Sequence, residues 1–398
     1  MRGLGCWARG GPLLGSRPVS TVFVPRESHA GENRVAASPD TVRRFVKAGL
    51  RLVIERGAGV AASMSDAEYT DAGAELGDAG GWESADLVLK VQPPTLEEIA
   101  KLKQGAILVS FVLPAANLDL VEALRERQVS SLAMGLVPRI SRAQAMDALS
   151  SQATISGYKA VLLGAVHLSK LCPLLMTAAG TVPPAKVVIF GAGVAGLQAI
   201  ATAKRLGCKV EATDIRLAAK EQVESLGAKF IDVPGAEDME DSGGYAKEAT
   251  PEFLAKQREE VAKRVADADL VVTTALVPGR PAPKLVSEEM VRSMRAGAVI
   301  VDLAVESGGN CALSKVGEIV DHEGVKIVGI PNLPSTVPEH ASELYSKNVF
   351  NLVKLFIGDE GALQTDFEDE VLAGCLLTHA GEVRHTQTAE ALAAKGNS

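Results

Sequence analysis

The chain alternates short apolar runs with amphipathic stretches, which is the pattern of repeated strand–helix units. Between Thr21 and Val137 the runs TVFVP, RLVIE, DLVLKV and AILVSFVL are separated by polar segments of helical spacing. One such helix is predicted to begin at a Ser38 cap followed by Pro39 and to end at Gly49. Because parallel strands need crossover helices, this region predicts a largely parallel sheet covered by helices.

A second alternating set follows the Pro183-Pro184 turn. Its predicted strands are the continuous apolar runs at 186–190, 209–214, 269–276, 298–305 and 325–330. Runs of this kind are typical of central parallel strands that are buried on both faces. A polar stretch at 138–152 and a predicted helix over about 153–174 connect the two sets, and the C-terminal segment returns to helix and short strands. The fold class is therefore α/β, with two sets of units.

Composition narrows the function classes without naming an activity. The 398 residues include 47% hydrophobic ones, a content that predicts a folded protein of two or three domains. The net charge of −8 and 4% aromatic content argue against a nucleic-acid binder. Five scattered cysteines without a CxxC and six histidines without an HExxH predict neither a disulfide framework nor a metal site. The longest uncharged apolar stretch, 171–185, is too short to span a bilayer and contains three prolines.

Residues 1–20 form an extension with two open interpretations. The extension carries three arginines and no acid, which is typical of an organellar transit peptide. Alternatively the start is set too early, and translation begins at a GTG codon for Val19, directly before the first strand. The second interpretation is preferred once the family resemblance described below is taken into account.

A glycine motif follows the first strand of the second set. Gly191, Gly193 and Gly196 form a GxGxxG that opens a helix at Val194, and Asp214 ends the next predicted strand. This arrangement predicts a dinucleotide site, whereas an isolated motif would more often be an ordinary glycine-rich turn. The three glycines would provide the tight turn, the close approach of a pyrophosphate and the helix–strand packing, and the helix N-terminus would attract the phosphates.

The residues after the second strand bear on the choice of nucleotide. Asp214 is placed to accept hydrogen bonds from the adenosine ribose hydroxyls, and its charge would repel a 2′-phosphate, so NAD is favoured over NADP. Arg216 could accommodate a 2′-phosphate, but we interpret it as a solvated charge at a helix start.

Several longer strings resemble the alanine dehydrogenase/transhydrogenase family, and within it the NAD(H)-binding subunits of proton-translocating NAD(P) transhydrogenases. The resemblance runs from about Thr21 to about His385. The strings are PRISRAQAMDALSSQ (138–152), TAAGTVPPAKVVIFGAGVAGLQAIATAKRLG (177–207), ATDIR (212–216), KEQVESLGAKF (220–230), GGYAKE (243–248), TTALVPGRPAPKLV (273–286) and VDLAVESGGNC (301–311).

The resemblance implies a loop that holds the nicotinamide. Its carried-over residues are Arg139, Gln144 and Asp147, with Ser150 just beyond. Glutamine can hold a carboxamide or ribose through both a donor and an acceptor. Without the resemblance, the preferred interpretation is that Ser141, Arg142 and Asp147 cap the following helix.

The resemblance also implies further NAD contacts. They are Val194, Ile215, Arg216, Gly244, Tyr245, Ala275 and Leu276. Residues 234–252 are acidic and glycine-broken, so a mobile surface loop is predicted. The family closes such a loop over its nucleotide. Proteins of the family often carry Met near the position of Ala249, which this chain lacks, so the role of Tyr245 is less well supported.

A free-standing alanine dehydrogenase is the main alternative. Those enzymes hold pyruvate with an arginine and a lysine, which Arg34 and Lys90 match, and use a histidine as proton donor. The matching region, 108–117, has no histidine, and Glu306 alone does not restore the site. Arg34 and Lys90 are therefore interpreted as structural or as relics of such a site. A non-catalytic NAD-binding module remains a third, less favoured alternative.

Taken together, the resemblance implies two Rossmann-like, doubly wound parallel-sheet domains flanking a nucleotide cleft. The first comprises 21–149 and 335–398, and the NAD-binding domain comprises 150–334. The implied activity is Re/Si-specific, proton-coupled hydride transfer between NADH bound here and NADP+ on a partner subunit. The expected partners are membrane-spanning transhydrogenase subunits, an NADP(H)-binding subunit and a second copy of this chain, with no metal. The expected location is the cytoplasmic face of a bacterial inner membrane, in preference to an organellar matrix.

Overall fold

A computed structural model describes residues 19–232, 251–276 and 281–396, and it contains two large sheets. The eight-stranded sheet has the order β17-β16-β6-β5-β4-β1-β2-β3, and the seven-stranded sheet has the order β11-β10-β9-β12-β13-β15-β14. The strands are β1 (Thr21–Val24), β2 (Arg51–Glu55), β3 (Glu75–Gly77), β4 (Leu87–Leu89), β5 (Ile107–Ser110), β6 (Ser130–Ala133), β7 (Leu175–Thr177), β8 (Gly180–Val182), β9 (Lys186–Phe190), β10 (Lys209–Thr213), β11 (Lys229–Phe230), β12 (Leu270–Thr273), β13 (Val299–Asp302), β14 (Ile319–His322), β15 (Val325–Val328), β16 (Leu376–His379) and β17 (Glu382–Val383).

Helices cover both sheets, and short 3-10 turns link several of them. The α-helices are α1 (Pro39–Lys47), α2 (Asp66–Asp71), α3 (Gly81–Ser84), α4 (Leu96–Lys101), α5 (Leu118–Glu126), α6 (Ala148–His167), α7 (Val194–Arg205), α8 (Ala219–Ser225), α9 (Pro251–Ala266), α10 (Glu288–Ser293), α11 (Pro338–Val353), α12 (Glu370–Cys375) and α13 (Thr386–Gly396). In the part of the chain that the structure describes, no helix is long and apolar enough to cross a membrane.

The continuous apolar runs are central strands, as predicted. In β9, Val187 and Ile189 face one hydrophobic cluster while Val188 and Phe190 face another, so both sides of the sheet are covered. Strand β9 pairs in parallel with β10 and β12. The predicted start of α1 is also confirmed, because the Ser38 side chain accepts a hydrogen bond from the backbone N–H of Thr41.

The C-terminal segment returns to the first sheet. Strand β16 pairs antiparallel with β6, and Tyr345 and Val349 of α11 are buried in one hydrophobic core with side chains of α1 and of that sheet. Antiparallel β14 lies at the far edge of the second sheet and was not predicted.

The connection between the two sheets differs from the prediction. The helix predicted over about 153–174 is α6, which begins at Ala148 and ends at His167. It begins earlier because the Asp147 carboxylate caps it, accepting from the Ser150 N–H at 2.9 Å. The residues beyond it form the exposed β7–β8 hairpin.

Candidate functional site

The glycine motif forms the turn between β9 and α7. Gly191 has φ +89°, and a Cβ on Gly196 would stand 1.8 Å from the Gly191 carbonyl oxygen, so this crossing requires glycine. Gly193 has an ordinary φ of −75°, and a Cβ there would find its nearest described neighbour, Arg216 Nη2, at 4.0 Å. The space above Gly193 therefore fits the close approach of a phosphate, and the Gly193 cap of α7 has no side chain of its own to occupy the helix N-terminus.

Helix α6 connects this turn to the predicted nicotinamide loop. A Cβ on Gly157 would stand 2.0 Å from the Ala195 carbonyl oxygen, so α6 and α7 cross in contact beside the glycine motif. Asp147 caps the other end of this stretch of α6, about 15 Å away at 1.5 Å per residue. Helix α6 therefore runs from the predicted nicotinamide loop to its contact with α7, the helix that the glycine motif opens.

Asp214 lies directly after β10 and holds the glycine turn. Its Oδ2 accepts from the Ala192 N–H at 2.7 Å, and its side chain is only 6% exposed. Burial alone would raise the pKa of Asp214, but hydrogen bonds from Arg216 and Ala192 outweigh it and hold the pKa below its usual value. The side chain is therefore an ionised acceptor at neutral pH.

Arg216 is not the solvated charge that the sequence suggested. Its Nε donates to Asp214 Oδ1 and its Nη2 to Asp214 Oδ2, both at 2.9 Å, and its backbone N–H also donates to Oδ1 at 2.9 Å. The side chain is 19% exposed. Ile215, between them, is partly buried, while Val194 at the start of α7 is exposed.

The loop after β12 is fixed by a side chain that sequence reasoning missed. Buried Asn310 accepts from the Ala275 N–H at 3.0 Å and donates to the Ala275 and Pro283 carbonyls at 2.9 and 2.8 Å. The neighbouring Leu276 side chain is exposed. Asn310 belongs to the string GGNC, part of the family resemblance, but its sequence neighbours did not indicate which groups its side chain would bind.

The predicted nicotinamide loop lies on the surface before α6. Arg139 and Gln144 are exposed, and Ser150 donates to Asp147 Oδ2 at 2.6 Å. Asp147 therefore caps α6, as the structural alternative proposed, whereas Arg142 pairs with Asp369 at 2.6 Å. That Arg139, Gln144, Asp147 and Ser150 also hold a nicotinamide stays a prediction.

Two asparagines of α11 fasten this loop, and sequence reasoning missed them as well. The Nδ2 atoms of Asn348 and Asn351 donate to the Ala145 carbonyl at 2.9 and 3.1 Å. Asn348 Oδ1 also accepts from Ser151 at 2.7 Å. The three-residue spacing of the asparagines in KNVFN places both on one helix face. This spacing is the sequence feature from which a shared role could have been predicted.

Gly244 and Tyr245 lie outside the described residues, as do most of residues 234–252 and nearly all of the predicted extension 1–20. The expected lid contacts therefore remain predictions.

Arg34 and Lys90 are both buried in ion pairs. Arg34 binds Glu32 through Nε at 2.8 Å and Nη2 at 2.6 Å, and Nη1 donates to Gln152 at 2.9 Å. Lys90 Nζ lies 3.4 Å from Glu27 and 3.2 Å from Glu98. These contacts favour the structural role predicted for both residues.

The charges in this network shift two acids in opposite directions. Burial would raise the pKa of Glu32, but the hydrogen bonds and charge of Arg34 lower it to about 2. Burial raises the pKa of Glu27 despite the opposing charge of Lys90. Glu306 accepts from the Asn332 N–H at 3.1 Å, and Asn332 in turn contacts Arg34 and Glu32.

Comparison with known proteins identifies the family. The family model "Alanine dehydrogenase/PNT, N-terminal domain" matches residues 23–156, and "Alanine dehydrogenase/PNT, C-terminal domain" matches residues 160–386. The chain belongs to the alanine dehydrogenase/transhydrogenase family.

Its relatives within the family include transhydrogenase subunits and alanine dehydrogenases. The chain is 50% identical over 374 residues to an NAD(P) transhydrogenase alpha-subunit chain of Rhodospirillum rubrum, covering 92% of this chain and 97% of that protein. It is 31% identical to the alanine dehydrogenase of Methanococcus maripaludis, covering 93% and 96%. The crystal structure of transhydrogenase from Sinorhizobium meliloti superposes with a TM-score of 0.85 at 44% identity, covering 92% of this chain and all of that one. The family and the two Rossmann-like domains are therefore confirmed.

Proposed function

We propose that this chain is the NAD(H)-binding subunit of a proton-translocating NAD(P)+ transhydrogenase, and that it exchanges hydride directly with NADP(H) on a partner subunit. The observation that carries the proposal is the near full-length similarity to a transhydrogenase alpha-subunit chain, at 50% identity, against 31% for an alanine dehydrogenase. The open Gly193 turn and the ionised Asp214 provide fitting places for the pyrophosphate and the ribose of NAD(H).

NAD(H) supplies the hydride, and the task of the protein is to position the nicotinamide and exclude water. Such a transfer needs no general acid or base, because close and oriented rings suffice. We assign the positioning to Arg139, Gln144, Asp147 and Ser150. The hydrogen bond from the Ser150 N–H to Asp147 and the one from the Ala192 N–H to Asp214 support this assignment, because each holds a carboxylate in a defined position.

The same proposal includes partners and location. The NADP(H) site and the membrane-spanning segments would belong to other subunits, with this chain docked at the cytoplasmic face of the membrane. A second copy of the chain is expected too. The exposed hairpin supports association, since Leu174, Leu175 and Met176 present their apolar side chains there.

We also propose the domain division 21–149 plus 335–398 and 150–334. It is supported by the pairing of β16 with β6 and by the burial of α11 side chains in the core of the first sheet. The nucleotide cleft would lie between these two domains.

The test is transhydrogenation with an NAD analogue as acceptor and NADPH as donor. The purified chain alone should bind NADH but show negligible turnover, and a membrane fraction carrying the partner subunits should restore it. Turnover of NADH with pyruvate and ammonia in the purified chain would instead support an alanine dehydrogenase.

Gln144→Asn examines the positioning role within the same assay. Shortening this side chain should slow transfer in the assembled enzyme by about tenfold or more while changing NADH affinity less, because geometry limits the transfer step. Gln104→Asn, on the surface and bonded to Gln128, is the matched control. Unchanged turnover in Gln144→Asn would remove the loop from the site.

A further inference from the structure

The contact between Asp214 and Arg216 suggests how the site rejects NADP(H). The guanidinium binds both carboxylate oxygens, Nε to Oδ1 and Nη2 to Oδ2, each at 2.9 Å. The Arg216 N–H donates to the same carboxylate, so the two residues form a closed local loop after β10. The Ala192 N–H adds a fourth bond and ties this loop to the glycine turn.

An aspartate paired in this way acts differently from an isolated one. The ion pair is nearly neutral, so simple charge repulsion of a 2′-phosphate is weaker than an isolated carboxylate would give. A guanidinium is also the group best suited to binding a phosphate through two parallel N–H donors. In this protein, two of those donors, Nε and Nη2, are engaged by Asp214.

We propose that Arg216 is a latent 2′-phosphate ligand that Asp214 holds in a non-binding position, so that nucleotide choice depends on the pair. The inference rests on the proposed NAD(H) site. Asp214 then has two tasks: it accepts hydrogen bonds from the ribose of NAD(H), and it engages Arg216, the cationic side chain nearest Gly193 among the described residues, which could attract NADP(H). Loss of the carboxylate would leave Nε and Nη2 available to the 2′-phosphate of NADP(H).

The experiment compares Asp214→Ser, Arg216→Ala and the double variant in the full chain, with NADH and NADPH affinities measured by fluorescence titration. Asp214→Ser should gain about 10- to 100-fold in NADPH affinity, the range expected of a charged hydrogen-bonding group. The double variant should lose that gain. Asp232→Ser is the matched control, since it removes an acid from the end of neighbouring β11, paired with Lys220 at 2.7 Å, and should not alter NADPH affinity.

A second variant protects the test against misfolding. Asp214→Asn keeps an oxygen that can accept from the Ala192 N–H, so it can replace the serine variant if that variant unfolds. Its gain in NADPH affinity should depend on Arg216 in the same way. An equal NADPH gain with and without Arg216 would overturn the proposal, since only charge repulsion would then be relieved. No gain in either aspartate variant would overturn it too. Failure of the parent chain to bind NADH would contradict the proposed function instead.

Discussion

The two glycines of the dinucleotide turn should fail in different ways when each is replaced by alanine. A Cβ on Gly196 would lie 1.8 Å from the Gly191 carbonyl oxygen and 2.8 Å from its carbon, and both of these are backbone atoms. Since such contacts need about 3.0 Å, α7 and the turn must separate by about 1.2 Å. A Cβ on Gly193 would meet, among the described residues, the end of a flexible arginine at 4.0 Å.

These distances set the expected magnitudes. Gly196→Ala should lower the free energy of unfolding by about 1–3 kcal/mol, the cost of overpacking a close contact. It should also weaken NADH binding, because the turn amides move away from the phosphates. Gly193→Ala should change stability by less than about 0.5 kcal/mol, as expected of a site without a steric conflict. Its methyl would occupy the space for the pyrophosphate, so NADH affinity should fall by about tenfold or more.

The assay pairs chemical denaturation with NADH titration for each variant. Gly135→Ala is the control, because its Cβ would meet the Val112 carbonyl oxygen at an ordinary 3.7 Å, and neither quantity should change. NADH binding to Gly193→Ala at the strength of the parent chain would refute the assignment of this turn to the pyrophosphate. Equal destabilisation by Gly193→Ala and Gly196→Ala would refute the packing argument.

Three further predictions concern buried polar groups and cysteines. Glu32→Gln should cost on the order of 3 kcal/mol at neutral pH, from the pKa of about 2 of Glu32 against an ordinary 4.5. Because the pKa of Glu32 is lower in the folded state, this stability is present above about pH 4.5 and is lost towards pH 2. The difference in the free energy of unfolding between parent and variant should therefore be smaller at pH 3 than at pH 7, as measured by chemical denaturation. Asn310→Ala removes the hydrogen-bond partner of the Ala275 N–H and of the Ala275 and Pro283 carbonyls. It should lower the free energy of unfolding by about 2 kcal/mol or more in the same assay. An unchanged free energy would contradict the anchoring role of Asn310. Among the described cysteines, maleimide should label partly exposed Cys172 before Cys208 and Cys375, because burial raises the pKa of the latter two thiols to about 12. Mass spectrometry of timed digests gives the order of labelling, and any other order would contradict this prediction.

The fold followed from the sequence where one physical cause dominated. Strands β9, β12 and β13 were predicted because strands buried on both faces must be apolar at nearly every position, and each is covered on both sides. The start of α6 was misplaced because its Asp147 cap lies within a polar stretch that local pattern alone assigned to a loop. The β7–β8 hairpin was missed because an uncharged segment gives no sign of being exposed.

The candidate site was predictable in its residues but not in its contacts. Asp214 and the glycines belong to a local motif, and the spacing of its residues indicates the strand, the turn and the helix that contain them. The pairing of Arg216 with Asp214 was not foreseen, because side chains two residues apart can point together or apart. Arg34 contacts Gln152 and Asn332 across 118 and 298 residues of chain, and no local pattern encodes such a contact.

Transfer of isotope from NADH labelled with deuterium at the nicotinamide C4 tests the central claim most directly. The chain is combined with membranes that carry the partner subunits, NADP+ is added, and the NADPH formed is analysed by mass spectrometry. We predict that NADPH carries the deuterium without exchange with solvent, and that omitting the chain abolishes the product. Formation of NADPH without deuterium, when the label occupies the transferred position, would contradict direct hydride transfer between the two nucleotides.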